Sequence, residues 1–156
     1  MIVPLFIHSL DGTIEPALSH LSLGAAGSLQ WGAFLNGNTT LGAELGGMFS
    51  FTILKRTLIL LPITGLLSYT IRFYPFELAM NMSVGGTFIK LDSDLYFGPI
   101  LKPGIALYWN YNAEWAFGIK AEYWWSAEIY FGTDPPSSES SFGNFLGITF
   151  STLYHF

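Results

Sequence analysis

Hydrophobic and polar residues alternate along most of this chain with a period of two, the signature of half-buried β-strands. The run from Trp115 to Phe131 is the clearest. Its odd positions, Trp115, Phe117, Ile119, Ala121, Tyr123, Trp125, Ala127, Ile129 and Phe131, are all apolar or aromatic. The other parity carries Glu114, Gly118, Lys120, Glu122, Ser126 and Glu128. Tyr96–Tyr111 repeats the pattern, with Phe97, Leu101, Ile105, Leu107, Trp109 and Tyr111 opposed by Gly98, Lys102, Gly104, Ala106 and Asn110. Phe76–Phe88, Leu41–Ile53 and Leu21–Leu35 alternate in the same way. In Thr57–Phe73 both parities are apolar, but Ser68, Thr70 and Arg72 fall together. Phe142–Phe156 sets Ile148, Phe150, Tyr154 and Phe156 on one face, and Ile2–Leu10 is a weaker first strand. The expectation is eight antiparallel strands and no helix.

The connections fall into two sets. Asn36-Gly37-Asn38, Tyr74-Pro75 and Asn110–Asn112 are tight turns. The other set is Asp11–His20, Leu54–Arg56, Lys90–Leu95 and the Pro- and Ser-rich Gly132–Ser141; apart from the short, basic Leu54–Arg56, it is longer and more polar. Pro62, Pro99 and Pro103 fall inside expected strands, where a missing N–H predicts bulges or strand ends.

Composition decides which face looks where. The 156 residues suit one domain. Charged residues are only 11% of the chain, against about 25% for a soluble domain, while 51% are hydrophobic and 17% aromatic. The bulky residues share one face, and Gly, Ala and Ser the other. Eight strands enclose a space just wide enough for side chains, so the small residues belong inside. The polar face bears Glu44, Arg72, Glu77, Lys102, Glu114, Lys120, Glu122 and Glu128. These are too few to wet an exterior but enough to pair in a lumen. Trp31, Phe73, Phe76, Trp109, Tyr111, Trp115, Tyr154 and Phe156 gather near the tight turns, and Phe51, Phe88, Phe97, Phe131 and Phe142 near the other end. Two aromatic bands are expected at the two surfaces of a bilayer.

The fold expected is therefore all-β: a closed eight-stranded antiparallel up-and-down transmembrane β-barrel spanning residues 1–156. Both termini would lie on the tight-turn, periplasmic side, and the longer loops outside the cell. No apolar stretch is long enough for a spanning helix, since Thr57–Ile71 is broken by Pro62 and stopped by Arg72. The first ten residues lack the charged start and cleavage site of a signal peptide.

The C-terminus resembles a sorting pattern. Proteins inserted by the bacterial outer-membrane assembly machinery end in an aromatic preceded by alternating apolar positions. Phe156, Tyr154, Phe150 and Ile148 match that pattern, with Ser151 where glycine is frequent. With the eight-strand count, the whole chain resembles the small OmpA-, OmpX- and OmpW-like outer-membrane barrels. The resemblance implies a location in the bacterial outer membrane and insertion by that machinery, with the bilayer as principal partner.

Candidate chemistry is sparse. The lumen charges could line an ion path, but charges removed from water need partners and favour a paired plug. His20-Leu21-Ser22 raises a lipid esterase, yet a nucleophile needs a base and an acid to orient it, and no acid shares the outer face. Gly132–Ser141 could present an adhesive tip. The histidines, His8, His20 and His155, lie far apart and cysteine is absent, so no metal or cofactor is expected. The net charge of -5 argues against nucleic acid. The function expected is non-enzymatic, a structural or surface-exposed component of the envelope. Passage of small hydrophobic molecules and membership of a larger assembly with other outer-membrane proteins are the alternatives.

Overall fold

The computed structural model describes residues 2–9, 14–15, 24–51, 57–91, 94–127 and 141–155. Among them the chain is all-β. The strands are β1 (Ile2–Ser9), β2 (Ile14–Glu15), β3 (Ala25–Phe34), β4 (Thr39–Phe51), β5 (Thr57–Phe73), β6 (Phe76–Leu91), β7 (Asp94–Asn110), β8 (Trp115–Ala127) and β9 (Ser141–Tyr154). They form one antiparallel sheet in the order β2-β1-β9-β8-β7-β6-β5-β4-β3. From β3 to β9 each strand pairs with the next, giving seven up-and-down strands in a curled sheet. β1 lies beside the loop-end half of β9, from Ile2 opposite Gly147 to Ser9 opposite Ser141. No ladder joins β3 to β1 or β9 among the described residues, so the closed eight-stranded ring is not complete in this arrangement.

The alternation in sequence becomes an alternation of burial. Along β5, Leu60, Pro62, Thr64, Leu66, Ser68 and Thr70 are buried on the concave face. The residues between them, Leu61, Ile63, Leu67, Tyr69 and Ile71, stand 41–57% exposed on the convex face. β8 shows the same phase: Lys120, Glu122 and Trp124 are buried, and Trp115 and Ile119 exposed. A period of two in the chain thus yields an apolar outer wall around a buried, partly polar inside.

Two expectations need correction. Pro62, Pro99 and Pro103 make no bulge, and none of them ends its strand. Pro62 stays in register opposite Thr87, and Pro103 opposite Met82. What each interrupts is the ladder on its other side: pairing lapses between Leu45↔Ile63 and Met48↔Leu60, and between Leu101↔Trp125 and Gly104↔Glu122, then resumes in the same register. A missing N–H removes a bond without moving the strand, because the opposite neighbour holds it. The only register shift recorded in these ladders lies between Pro4 and Phe6, in β1 against β9. Nor is Lys90–Leu95 a long loop. Lys90 pairs with Leu95 and Leu91 with Asp94, so β6 and β7 run nearly to their turn.

Two of the three tight turns share a plan. Asn36 Oδ1 accepts the backbone N–H groups of Asn38 and Thr39 at 2.9 and 2.8 Å. Asn112 Oδ1 does the same for Glu114 and Trp115 at 2.9 and 2.7 Å. The asparagine side chain thereby replaces a backbone acceptor, the reason Asn favours such corners. Each of the three turns is also tied to the turn-end part of the chain beyond its own hairpin. The carbonyls of Asn38, Pro75 and Glu114 accept from the N–H groups of Thr70, Asn110 and His155. At the same end Phe34, the last residue of β3, stacks on His155 just past β9, their rings 6.0 Å apart. There the two outer strands of the seven come together.

Candidate functional site: a layered interior

The concave face is stratified from loop end to turn end. Nearest the loops lies an apolar layer of Met48, Leu60, Ile89, Ile100, Trp124 and Phe145, drawn from every strand between β4 and β9 and each no more than 5% exposed. A charged layer lies in the middle. Beyond it, toward the turns, Ala79, Ala106, Tyr108 and Ala116 pack with Leu153.

The charged layer is built from residues of four strands. Lys102 Nζ donates to Glu44 Oε1 at 2.6 Å, and both side chains are fully buried. Ser83 Oγ donates to the second carboxylate oxygen of Glu44 at 2.9 Å. Because β4 and β7 are separated by β5 and β6, this bond crosses the concavity and braces one wall on the other. Lys102 also sits 4.5 Å from the Trp124 ring centre, a cation–π contact that joins the charged layer to the apolar one. Lys120 and Glu122, two residues apart on the inward face of β8, form the second buried pair. The layer holds two acids and two bases, as a low-dielectric interior requires.

Local sequence explains the fit. A Cβ on Gly118 would lie 2.2 Å from the Leu107 carbonyl oxygen and 2.7 Å from the Tyr108 ring. Only glycine lets Tyr108 lie across β8, where its hydroxyl shares a 3.2 Å hydrogen bond with Ser151.

The remaining expected lumen charges fall elsewhere. Arg72 and Glu77 form a pair at the turn-end rim, Nε to Oε1 3.5 Å, with the Arg72 side chain 45% exposed. Arg72 also donates to the Gly37 carbonyl at 2.7 Å and lies over the Phe34 ring, while Asn110 donates to Glu77. Glu114 is not in the interior: it is exposed in the β7–β8 turn, because the Asn112 turn takes it out of the strand's alternation. Glu128 lies outside the described residues, as do His20-Leu21-Ser22 and Phe156.

Among the aromatic positions, Trp31, Phe73, Phe76, Trp109, Tyr111, Trp115 and Tyr154 are all 40–64% exposed on the convex face or at its turn end. They touch in chains: Phe73 on Phe76, Tyr111 between Trp109 and Phe117, Trp115 on Tyr154. Phe88 and Phe97 meet edge to face toward the loop end. Phe150 is 75% exposed.

Sequence reasoning missed the large residues inside. It expected a polar interior of small side chains, whereas Trp124, Phe145 and Tyr108 are buried there. Trp124 shares its parity with Lys120 and Glu122, and that signal was legible.

A family model matches residues 1–154. The chain belongs to that family, whose function is unknown. No curated protein and no solved structure matches it.

Proposed function

We propose that this protein is a non-enzymatic integral outer-membrane barrel, a structural component of a bacterial envelope whose lumen is plugged. The observation that carries the reading is the inversion of polarity across the sheet. Glu44, Lys102, Lys120 and Glu122 are buried on one face, while Leu29, Trp31, Leu61, Ile63, Val84 and Ile119 are 51–62% exposed on the other. Water would favour the reverse; hydrocarbon favours this arrangement.

Closure of the ring is supported by the stagger of the ladders. Phe34 pairs with Thr40, then the line passes through Ser68, Asn81, Gly104 and Glu122 to Gly147. Yet the residue stacked on Phe34 is His155, eight positions beyond Gly147. A stagger of eight in one circuit of about eight strands, about 4.8 Å apart, corresponds to strands tilted by about 35°. Small membrane barrels tilt by about 35–45°. β1, already beside β9, is the strand that would complete the ring against β3.

The apolar layer above the charged one argues for a seal and against an ion path. Expression in a Gram-negative host with fractionation, and gel migration in detergent before and after boiling, test the reading. Outer-membrane recovery with faster migration of the unboiled form is expected. A water-soluble fraction, or migration indifferent to boiling, would overturn it.

A further inference from the structure

The turns after β3 and after β7 make the same hydrogen bonds at matching positions. In the first, the N–H groups of Leu35 and Asn36 donate to the Thr39 carbonyl. In the second, those of Tyr111 and Asn112 donate to the Trp115 carbonyl. Asn36 Oδ1 accepts from Asn38 and Thr39, and Asn112 Oδ1 from Glu114 and Trp115, all at 2.7–2.9 Å. Both asparagines are exposed. What differs is the residue that follows the asparagine: Gly37 in one turn, Ala113 in the other.

That difference bears on the side-chain amide. The two N–H groups hold Asn36 Oδ1 where negative charge would gather if Cγ were attacked, as an oxyanion hole does. The nearest nucleophile is the Gly37 nitrogen. No Cβ stands beside it, and a Cβ built there would meet nothing within 4 Å, so its approach is open. The neighbouring asparagines are tied down instead. Asn38 Nδ2 donates to the Thr70 carbonyl, and the Thr39 N–H is already given to Asn36. Asn110 donates to Glu77, and the Tyr111 N–H to the Trp115 carbonyl.

We propose that Asn36 is a self-modifying site, converted to an acid by the nitrogen of Gly37 with water as the only co-reactant. The Gly37 nitrogen gives its proton to water and bonds to Asn36 Cγ. The Cγ–Nδ2 bond breaks, ammonia leaves and a cyclic imide remains. Water then opens the ring at either carbonyl, leaving aspartate or isoaspartate at position 36. The aspartate carboxylate keeps both N–H donors, now in charge-assisted bonds. It also adds a negative charge beside Arg72, whose guanidinium already donates to the Gly37 carbonyl at 2.7 Å. The modification thus puts a second acid next to the arginine that pairs with Glu77 at the rim.

The second turn is the built-in control. The folded full chain is held at mildly alkaline pH in heavy-oxygen water, and peptides covering both turns are followed by mass spectrometry. Position 36 should become an acid carrying one solvent oxygen at least tenfold faster than position 112. Gly37→Ala should slow Asn36 to the Asn112 rate, and Ala113→Gly should raise Asn112 to the Asn36 rate. Both changes lie in exposed turns, so the strand signal in circular dichroism should stay the same. Equal rates at the two asparagines would overturn the proposal. So would conversion of Asn36 in the urea-unfolded chain but not in the folded one, because the turn would then protect the amide.

Discussion

Glu44–Lys102 and Arg72–Glu77 are both acid–base pairs bridging strands, but they sit in opposite surroundings. The first lies across the concavity with both side chains fully buried, and its carboxylate is completed by Ser83. The second lies on the turn-end rim, its arginine nearly half exposed, with the Gly37 carbonyl and Phe34 ring as further partners. Water can replace any contact at the rim. It cannot reach the interior pair, so there each charge depends on its partner. The chemistry of the two pairs is similar; the medium sets what each is worth.

That contrast fixes an order of effects. Lys102→Met should be the most damaging, about 3–5 kcal/mol, because it strands the Glu44 carboxylate in the interior. Urea midpoints in detergent measure this, and pairing it with Glu44→Gln should restore most of the loss. A double variant as unstable as the single one would mean that the pair contributes more than mutual neutralisation. Trp124→Ala should follow, at about 3 kcal/mol, from the void left among Met48, Leu60 and Ile89 and the lost cation–π contact. The same variant gives the seal a functional reading: planar-bilayer conductance should rise from silence to brief openings. Persistent silence would locate the barrier in the charged layer instead.

Gly118→Ala comes next, at about 1–3 kcal/mol, since the added methyl meets both the Leu107 carbonyl and the Tyr108 ring. Combining it with Tyr108→Ala should relieve the ring clash and leave only the backbone one, read from the same unfolding midpoints. Smallest is Arg72→Met, below about 1 kcal/mol and further reduced by salt, as for exposed pairs generally. A loss at the rim equal to that at Lys102 would break the comparison.

Much of the strand framework was legible in the sequence. The period of two located the seven up-and-down strands and the shorter β1 within a few residues, and the Asn-containing corners located two of the three tight turns. Side-chain size, read with that period, also put Trp31, Trp109 and Trp115 on the outside. The prolines were misleading because sequence shows the missing N–H but not which neighbour it faces. Pro62 and Pro103 each keep their β6 partner, and so the register survives. The charged positions were legible as a set, but not as pairs. Parity put Glu44, Lys102, Lys120 and Glu122 on one face, said nothing about height, and wrongly placed with them Glu114, which a turn removes from the alternation.

What this sequence determined by itself is the face on which each strand residue lies, because alternation is a local property of an extended backbone. What only the tertiary structure decided is which residues meet across the concavity and at what level. Glu44 reaches Lys102 over two intervening strands, Trp124 enters an interior thought too narrow for it, and Phe34 meets His155 from the opposite end of seven strands. Those contacts depend on register and curl accumulated over seven strands, and no stretch of sequence records the sum.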